Sequence, residues 1–235
     1  MLSLDGDAMG TSMRFRNRTE AGQQLASKLT TYAGRPGVVV LALPRGGVPV
    51  ACEIARKLRA PLDIFLVRKL GVPGAKELAM GAIAENGVCF LDHRIVDLEG
   101  ISDAEIQEVI NEEKQELARR AQQYRGNRSS LPVSERTVIL VDDGLATGAT
   151  MRVAIDAVKV HHPTRIVVAV PVASSSACTA IQAAADEFVC LLEAADFYAV
   201  SQWYEDFRQV SDEEVVALLV AMSNETGDCP NMKCA

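Results

Sequence analysis

Short, continuous apolar runs alternate with longer amphipathic stretches along most of this 235-residue chain, and that alternation limits the folds open to it. Residues 38–43, 62–67, 137–141, 165–172 and 187–192 each read as a buried strand bounded by turn residues. Helical spacing fills the gaps. Residues 18–31 carry Ala21, Leu25, Ala26 and Leu29 on one face, and residues 48–58 carry Val50, Ile54 and Leu58 at four-residue intervals. Residues 150–160 and 175–185 read the same way. Parallel strands need crossover helices, so the expected architecture is an α/β fold: an open, mostly parallel twisted sheet with helices on both faces. Ligands of such sheets bind beyond the carboxyl ends of the strands.

One stretch departs from this rhythm. Residues 69–76 are rich in Gly, Pro and basic side chains and read as a loop, and residues 80–84 and 88–91 flank Glu85-Asn86-Gly87, a hairpin signal. Ser102 with Glu105 forms a capping box before a long helix striped by Ile106, Ile110, Leu117, Ala121 and Tyr124. Ser211 caps a last helix, with Glu214 three residues on. The expected organisation is a core over residues 13–192, with the hairpin and long helix (79–125) inserted. An aromatic hood segment with the C-terminal helix follows over 193–223, then a disordered tail over 224–235.

Composition narrows the class. Lys+Arg 24 against Asp+Glu 31 gives a net charge of −7, which argues against general nucleic-acid binding while allowing a local basic pocket. Cys52, Cys89, Cys178 and Cys190 sit singly in apolar runs and read as buried free thiols. Cys229 and Cys234 lack a second pair for a zinc site. His93, His161 and His162 have no metal-ligand spacing and read as surface or loop residues. No apolar run reaches membrane-spanning length, and residues 1–13 are polar, without a signal-peptide apolar segment. The expectation is a reduced, cytoplasmic protein with no membrane partner.

Residues 138–150 carry the chemistry. A buried strand ends in adjacent acids, Asp142 and Asp143, followed by the small-residue turn Gly144-Leu145-Ala146-Thr147-Gly148-Ala149-Thr150 at a helix start. Paired carboxylates accept the hydrogen bonds of a vicinal diol. Free backbone N–H groups from Ala146 through Thr150, aided by the helix dipole, suit a phosphate, with hydroxyls from Thr147 and Thr150 beside them. A diol site one turn from a monophosphate site describes a ribose 5-phosphate. Walker A fails because Ala149 follows Gly148, and the Rossmann glycine spacing is missing. An Asp-rich loop that merely caps a helix is the bland alternative.

This segment resembles the PRPP-binding motif of the type I phosphoribosyltransferases: hydrophobic strand, two acids, three variable residues, Thr-Gly-x-Thr. The resemblance extends over residues 14–219, and the chain is similar to a bacterial branch of predicted phosphoribosyltransferases. Leu43-Pro44-Arg45-Gly46-Gly47 resembles the family's pyrophosphate loop, in which Arg45 would clamp phosphate oxygens and the glycines expose N–H groups. The family implies a cis peptide at Pro44–Arg45. It also implies a mobile basic loop where Arg68, Lys69 and Lys76 stand; a merely solvated basic loop is the other reading. Mg²⁺ would arrive mainly with PRPP, with no dedicated protein site.

Residues 195–208 hold five of the aromatic side chains. The five are Phe197, Tyr198, Trp203, Tyr204 and Phe207, and the segment reads either as a hood that stacks an acceptor base through Phe197 or Tyr198, with Asp206 near its exocyclic groups, or as a cap on the core. Ala146 stands where 6-oxopurine enzymes of the family carry an Asp, and the Leu145–Gly148 string is similar to the adenine enzymes, so the acceptor is open. Arg119, Arg120, Arg125 and Arg128 read as the solvated end of the long helix, and residues 14–18 as a solvated arm, with a phosphate or a neighbouring subunit as the alternative contact. The resemblance implies transfer of 5-phosphoribosyl from PRPP to a small nitrogenous base, a purine-like one by preference, and is compatible with a homodimer. In that reaction Asp142, Asp143, Arg45 and Lys69 would be the reacting-centre residues. The competing function is a PRPP- or nucleotide-sensing binding protein of the same fold.

Overall fold

The computed structural model describes residues 14–226. Along the chain the elements are α1 (Arg18–Lys28), β1 (Val38–Ala42), α2 (Gly47–Leu58), β2 (Leu62–Ile64), β3 (Val67–Val72), β4 (Ala75–Ala84), β5 (Cys89–Leu91), α3 (His93–Glu99) and α4 (Asp103–Arg125). They continue with β6 (Thr137–Val141), α5 (Ala149–Lys159), β7 (Arg165–Ser174), α6 (Ser175–Gln182), β8 (Glu187–Ala194) and α7 (Asp212–Thr226). Five strands form one wholly parallel sheet in the order β2-β1-β6-β7-β8. The strand order reverses between β1 and β6, so a crevice opens there beyond the strand ends.

The continuous apolar runs follow from burial on both faces. Val38, Val40 and Ala42 of β1 pack toward α1, α2, α4 and α7. Val39 and Leu41 turn to the other face, into the layer of α5 and α6. No side of such a strand meets water, so the polar alternation of a half-exposed sheet is missing.

Residues 69–76 are not a loop. They belong to a second, antiparallel sheet of order β3-β4-β5, which begins at Val67 and turns at Pro73-Gly74. Gly74 supplies the positive φ of 79° the turn requires. Leu70, Val72 and Met80 are buried from this sheet, but register shifts around Gly71 break the period-2 pattern that would have shown it in sequence. The hairpin at Glu85-Asn86-Gly87 forms as expected. So does the capping box of α4, in which Glu105 N donates to Ser102 Oγ and Ser102 N to Glu105 Oε2. His93 is exposed, yet it opens a helix capped by Asp92 rather than lying in a loop.

Other expectations change with packing. Arg125 is buried, not solvated: its Nε lies 2.9 Å from Asp63 Oδ1, its Nη1 2.6 Å from Glu85 Oε2, and its Nη2 donates to Ile64 O. It thereby ties α4 to β2 and to the tip of β4. Residues 15–18 are not a free arm, because Phe15 and Arg18 are buried. Cys89 is exposed because β5 is an edge strand of the second sheet. Cys52 and Cys178 are buried, and Cys190 is half-buried. Helix α7 runs past residue 224 to Thr226, while Cys229 and Cys234 lie outside the described residues. No helix among the described residues is long and apolar enough to cross a membrane.

Candidate functional site

Two loops meet at the switch point. The first leaves β1 as Leu43-Pro44-Arg45-Gly46-Gly47, where the Pro44–Arg45 peptide is cis, as the family resemblance implies. The amides of Arg45 and Gly46 donate no hydrogen bond among the described residues. The second leaves β6 as Asp142 and Asp143. The two are packed so closely that only glycine fits between them: a Cβ at Gly46 would stand 1.9 Å from Asp143 Oδ2, and one at Gly47 would stand 2.7 Å from Val141 O.

Both acids are half-buried, and burial pushes both carboxyls upward in pKa. For Asp142 the neighbouring charge of Asp143 adds to the rise, and the carboxyl sits well above the usual range. For Asp143 the Arg18 guanidinium opposes the rise. Asp142 Oδ1 accepts from Asp143 N at 2.8 Å.

Beyond the acids the bend opens to solvent. Ala146, Thr147 and Ala149 are exposed, and Gly148, at φ 73°, caps α5 in the left-handed region. None of the amides of Ala146, Thr147, Gly148 and Thr150 donates a hydrogen bond within the described residues. Ala149 N makes only a 3.3 Å contact to Thr147 Oγ1. The bend is held from behind, where Ser174 Oγ donates to Ala146 O at 2.6 Å. A row of unclaimed N–H groups at a helix N-terminus is an anion cradle.

A cavity of about 400 Å³ joins these loops to the second sheet; Pro44, Thr150, Arg68, Lys69, Lys76 and Arg120 are among its lining residues. Arg68 is paired with Glu113 at 2.6 Å, and Lys69 is exposed. The basic residues therefore stand on a hairpin braced against α4 rather than on a free loop. Arg45 is a third exposed, with its Nη1 3.7 Å from Asp212 Oδ1. Asp212 also accepts from Tyr124 Oη at 2.5 Å, which holds its carboxyl below the usual range.

The expected base-binding residues are less gathered. Phe197 stacks on Trp203 at 6.3 Å, Tyr198 is 90% exposed, and Asp206 is exposed, with its N donating to Arg16 O. The hood is stitched to the start of the chain instead, since Phe15 N donates to Trp203 O and Glu205 N to Phe15 O. Arg18, Tyr204, Ser174 and Asp212 at the site escaped sequence reasoning. Arg18 left one signal: a cation in the first turn of a helix opposes the helix dipole and asks for a reason.

This sheet order, with unclaimed amides and paired acids at its switch point, defines an open α/β protein whose crevice between β1 and β6 has the donors that suit an anion. The comparisons make the class specific. The chain belongs to the phosphoribosyl transferase family, whose domain model matches residues 15–207. It is 46% identical over 205 residues to "Putative phosphoribosyl transferase Rv0571c" and to "Putative phosphoribosyl transferase MT0597", both from Mycobacterium tuberculosis strains. That match covers 87% of this chain but 46% of the relatives, so the chain spans about half the length of the curated relatives it matches. The crystal structure of TT1426 from Thermus thermophilus is 44% identical, with a TM-score of 0.77 covering 89% of this chain and 99% of that one.

Proposed function

We propose that this chain moves a 5-phosphoribosyl group from PRPP to a nitrogen of a small base, purine-like by preference, and releases pyrophosphate. The observation that carries this is the set of unclaimed amides at Ala146, Thr147, Gly148 and Thr150, one turn beyond two carboxyls at the crevice. In this reading the bend holds the 5-phosphate, far from the bond that breaks, and so fixes the orientation of the ribose. Asp142 and Asp143 accept from the ribose hydroxyls, and the charge on Asp143 favours the positive character that develops on the ring. Arg45, Gly46 and Lys69 face the negative charge that accumulates on the leaving pyrophosphate. Mg²⁺ enters as part of the substrate, on the diphosphate oxygens that suit a hard cation.

A binding-only reading of the same site, a PRPP sensor, draws on one feature: Ala146 places no acid or base in the bend to serve an acceptor. The experiment that separates the two is pyrophosphate release from Mg-PRPP across a panel of purine and pyrimidine bases, with Thr147→Ala as control. Release that requires one base and falls in the variant supports the transferase. Thermal stabilisation by PRPP with no release for any base supports the sensor. Ribose 5-phosphate formed without a base points to hydrolysis.

A further inference from the structure

Arg18 stands at the first position of α1, buried, 125 residues from the carboxylate it meets. Its Nε donates to Asp143 Oδ2 at 2.7 Å and its Nη1 to Arg208 O at 2.8 Å. Its guanidinium lies 3.8 Å from the centre of the Phe207 ring and 5.9 Å from that of Tyr204. Tyr204 Oη in turn donates to Asp143 O at 2.7 Å. The same Asp143 oxygen that receives Arg18 is the one that leaves no room for a side chain at Gly46. Asp143 thus joins α1 and the glycine loop through its carboxylate and the hood through its backbone carbonyl, and one guanidinium holds the carboxylate there.

We infer that Arg18 is a positioning residue for ribose-phosphate binding, holding the Asp143 carboxyl fixed between α1, the glycine loop and the hood. The inference rests on the reading of Asp142 and Asp143 as the ribose-binding pair. Its physical basis is simple. A carboxylate taken from water gives up its charge unless a partner is present. Asp142 on its own strand cannot be that partner. From the hood, Tyr204 offers a neutral hydroxyl and bonds the backbone oxygen. From α7, Glu214 faces Arg18, not Asp143. The glycine loop brings no charge to this oxygen. Among the described residues Arg18 alone brings a cation to this carboxyl, and its flat face stacks where a lysine would not. The Arg18 charge beside Asp143 also lessens the carboxylate's repulsion of the incoming phosphates.

The test is calorimetric titration of PRPP from pH 5 to 9 into the wild-type chain, Arg18→Met and Arg18→Lys. Methionine keeps an apolar stem beside Phe207 and removes the charge. Loss of Arg18 lets burial lift the Asp143 pKa further, so the acid limb of binding moves to higher pH. Expected is an upward shift of about one pH unit or more in Arg18→Met, matched by a roughly tenfold loss of affinity on the acid side of the limb. Arg18→Lys is expected to keep the wild-type limb with weaker affinity. A Met variant that binds with wild-type affinity and an unmoved limb overturns the inference. Should that variant not fold, carboxyl carbon NMR of the wild type decides: Asp143 charged at pH 7 supports the role, and Asp143 protonated there overturns it. If the wild type binds no PRPP at any pH, the ribose-pair reading itself fails, and the carboxyl titration still reports on Arg18.

Discussion

Two buried arginines hold this molecule together in different ways. Arg125 and Arg18 are each 8% exposed and each bonded to an acid far along the chain. Arg125 meets two carboxylates, Asp63 and Glu85, and a backbone carbonyl, and Asp63 spends its remaining capacity on the amides of Ile64 and Leu131. That cluster is saturated. Arg18 meets one carboxylate, and that carboxylate borders a crevice whose neighbouring amides are unclaimed. A charge cluster with every bond satisfied supports the architecture, whereas one that stands beside unclaimed donors supports a ligand.

The largest expected effect separates the two. Arg125→Ala leaves two carboxylates buried without their cation and is expected to cost about 3–5 kcal/mol of stability in denaturant unfolding. The PRPP affinity of the folded fraction should stay unchanged. An equal loss of affinity would erase the distinction between the clusters. Gly46→Ala comes next. Its Cβ collides with Asp143 Oδ2, and relief of that overlap is expected to cost about 1–3 kcal/mol and to abolish PRPP binding in the same titration.

Smaller effects sharpen the contrast at the bend. Thr147→Ala removes an exposed hydroxyl and is expected to weaken PRPP binding about tenfold by calorimetry, with the unfolding midpoint nearly unmoved. Asp143→Asn is a less clean probe, because it also disturbs a buried partner of Arg18. Ser174→Ala loses the bond to Ala146 O and the cap on Ala177 N, so a stability loss of about 1 kcal/mol is expected, with a weaker effect on affinity.

The parallel sheet was legible because strands buried on both faces leave unbroken apolar runs, as in β6 and β7. The acids and the bend were legible because one contiguous segment holds them. Strand β3 and the first half of β4 were hidden by Gly71, Pro73 and Gly74, which read as a loop and in fact mark bulges and a tight turn. The roles of Arg18 and Arg125 were invisible for a different reason. Their partners lie 125 and 62 residues away, and no local pattern encodes a contact that only the fold creates. The hood sits between these cases. Its aromatic content was plain, but its pairing with Phe15 was not.

A crystal structure of the chain with Mg-PRPP bound addresses the central claim most directly. The account predicts the 5-phosphate on the amides of Thr147, Gly148 and Thr150, with the ribose hydroxyls toward Asp142 and Asp143. A PRPP molecule seated elsewhere, with that row of donors facing only water, would contradict it.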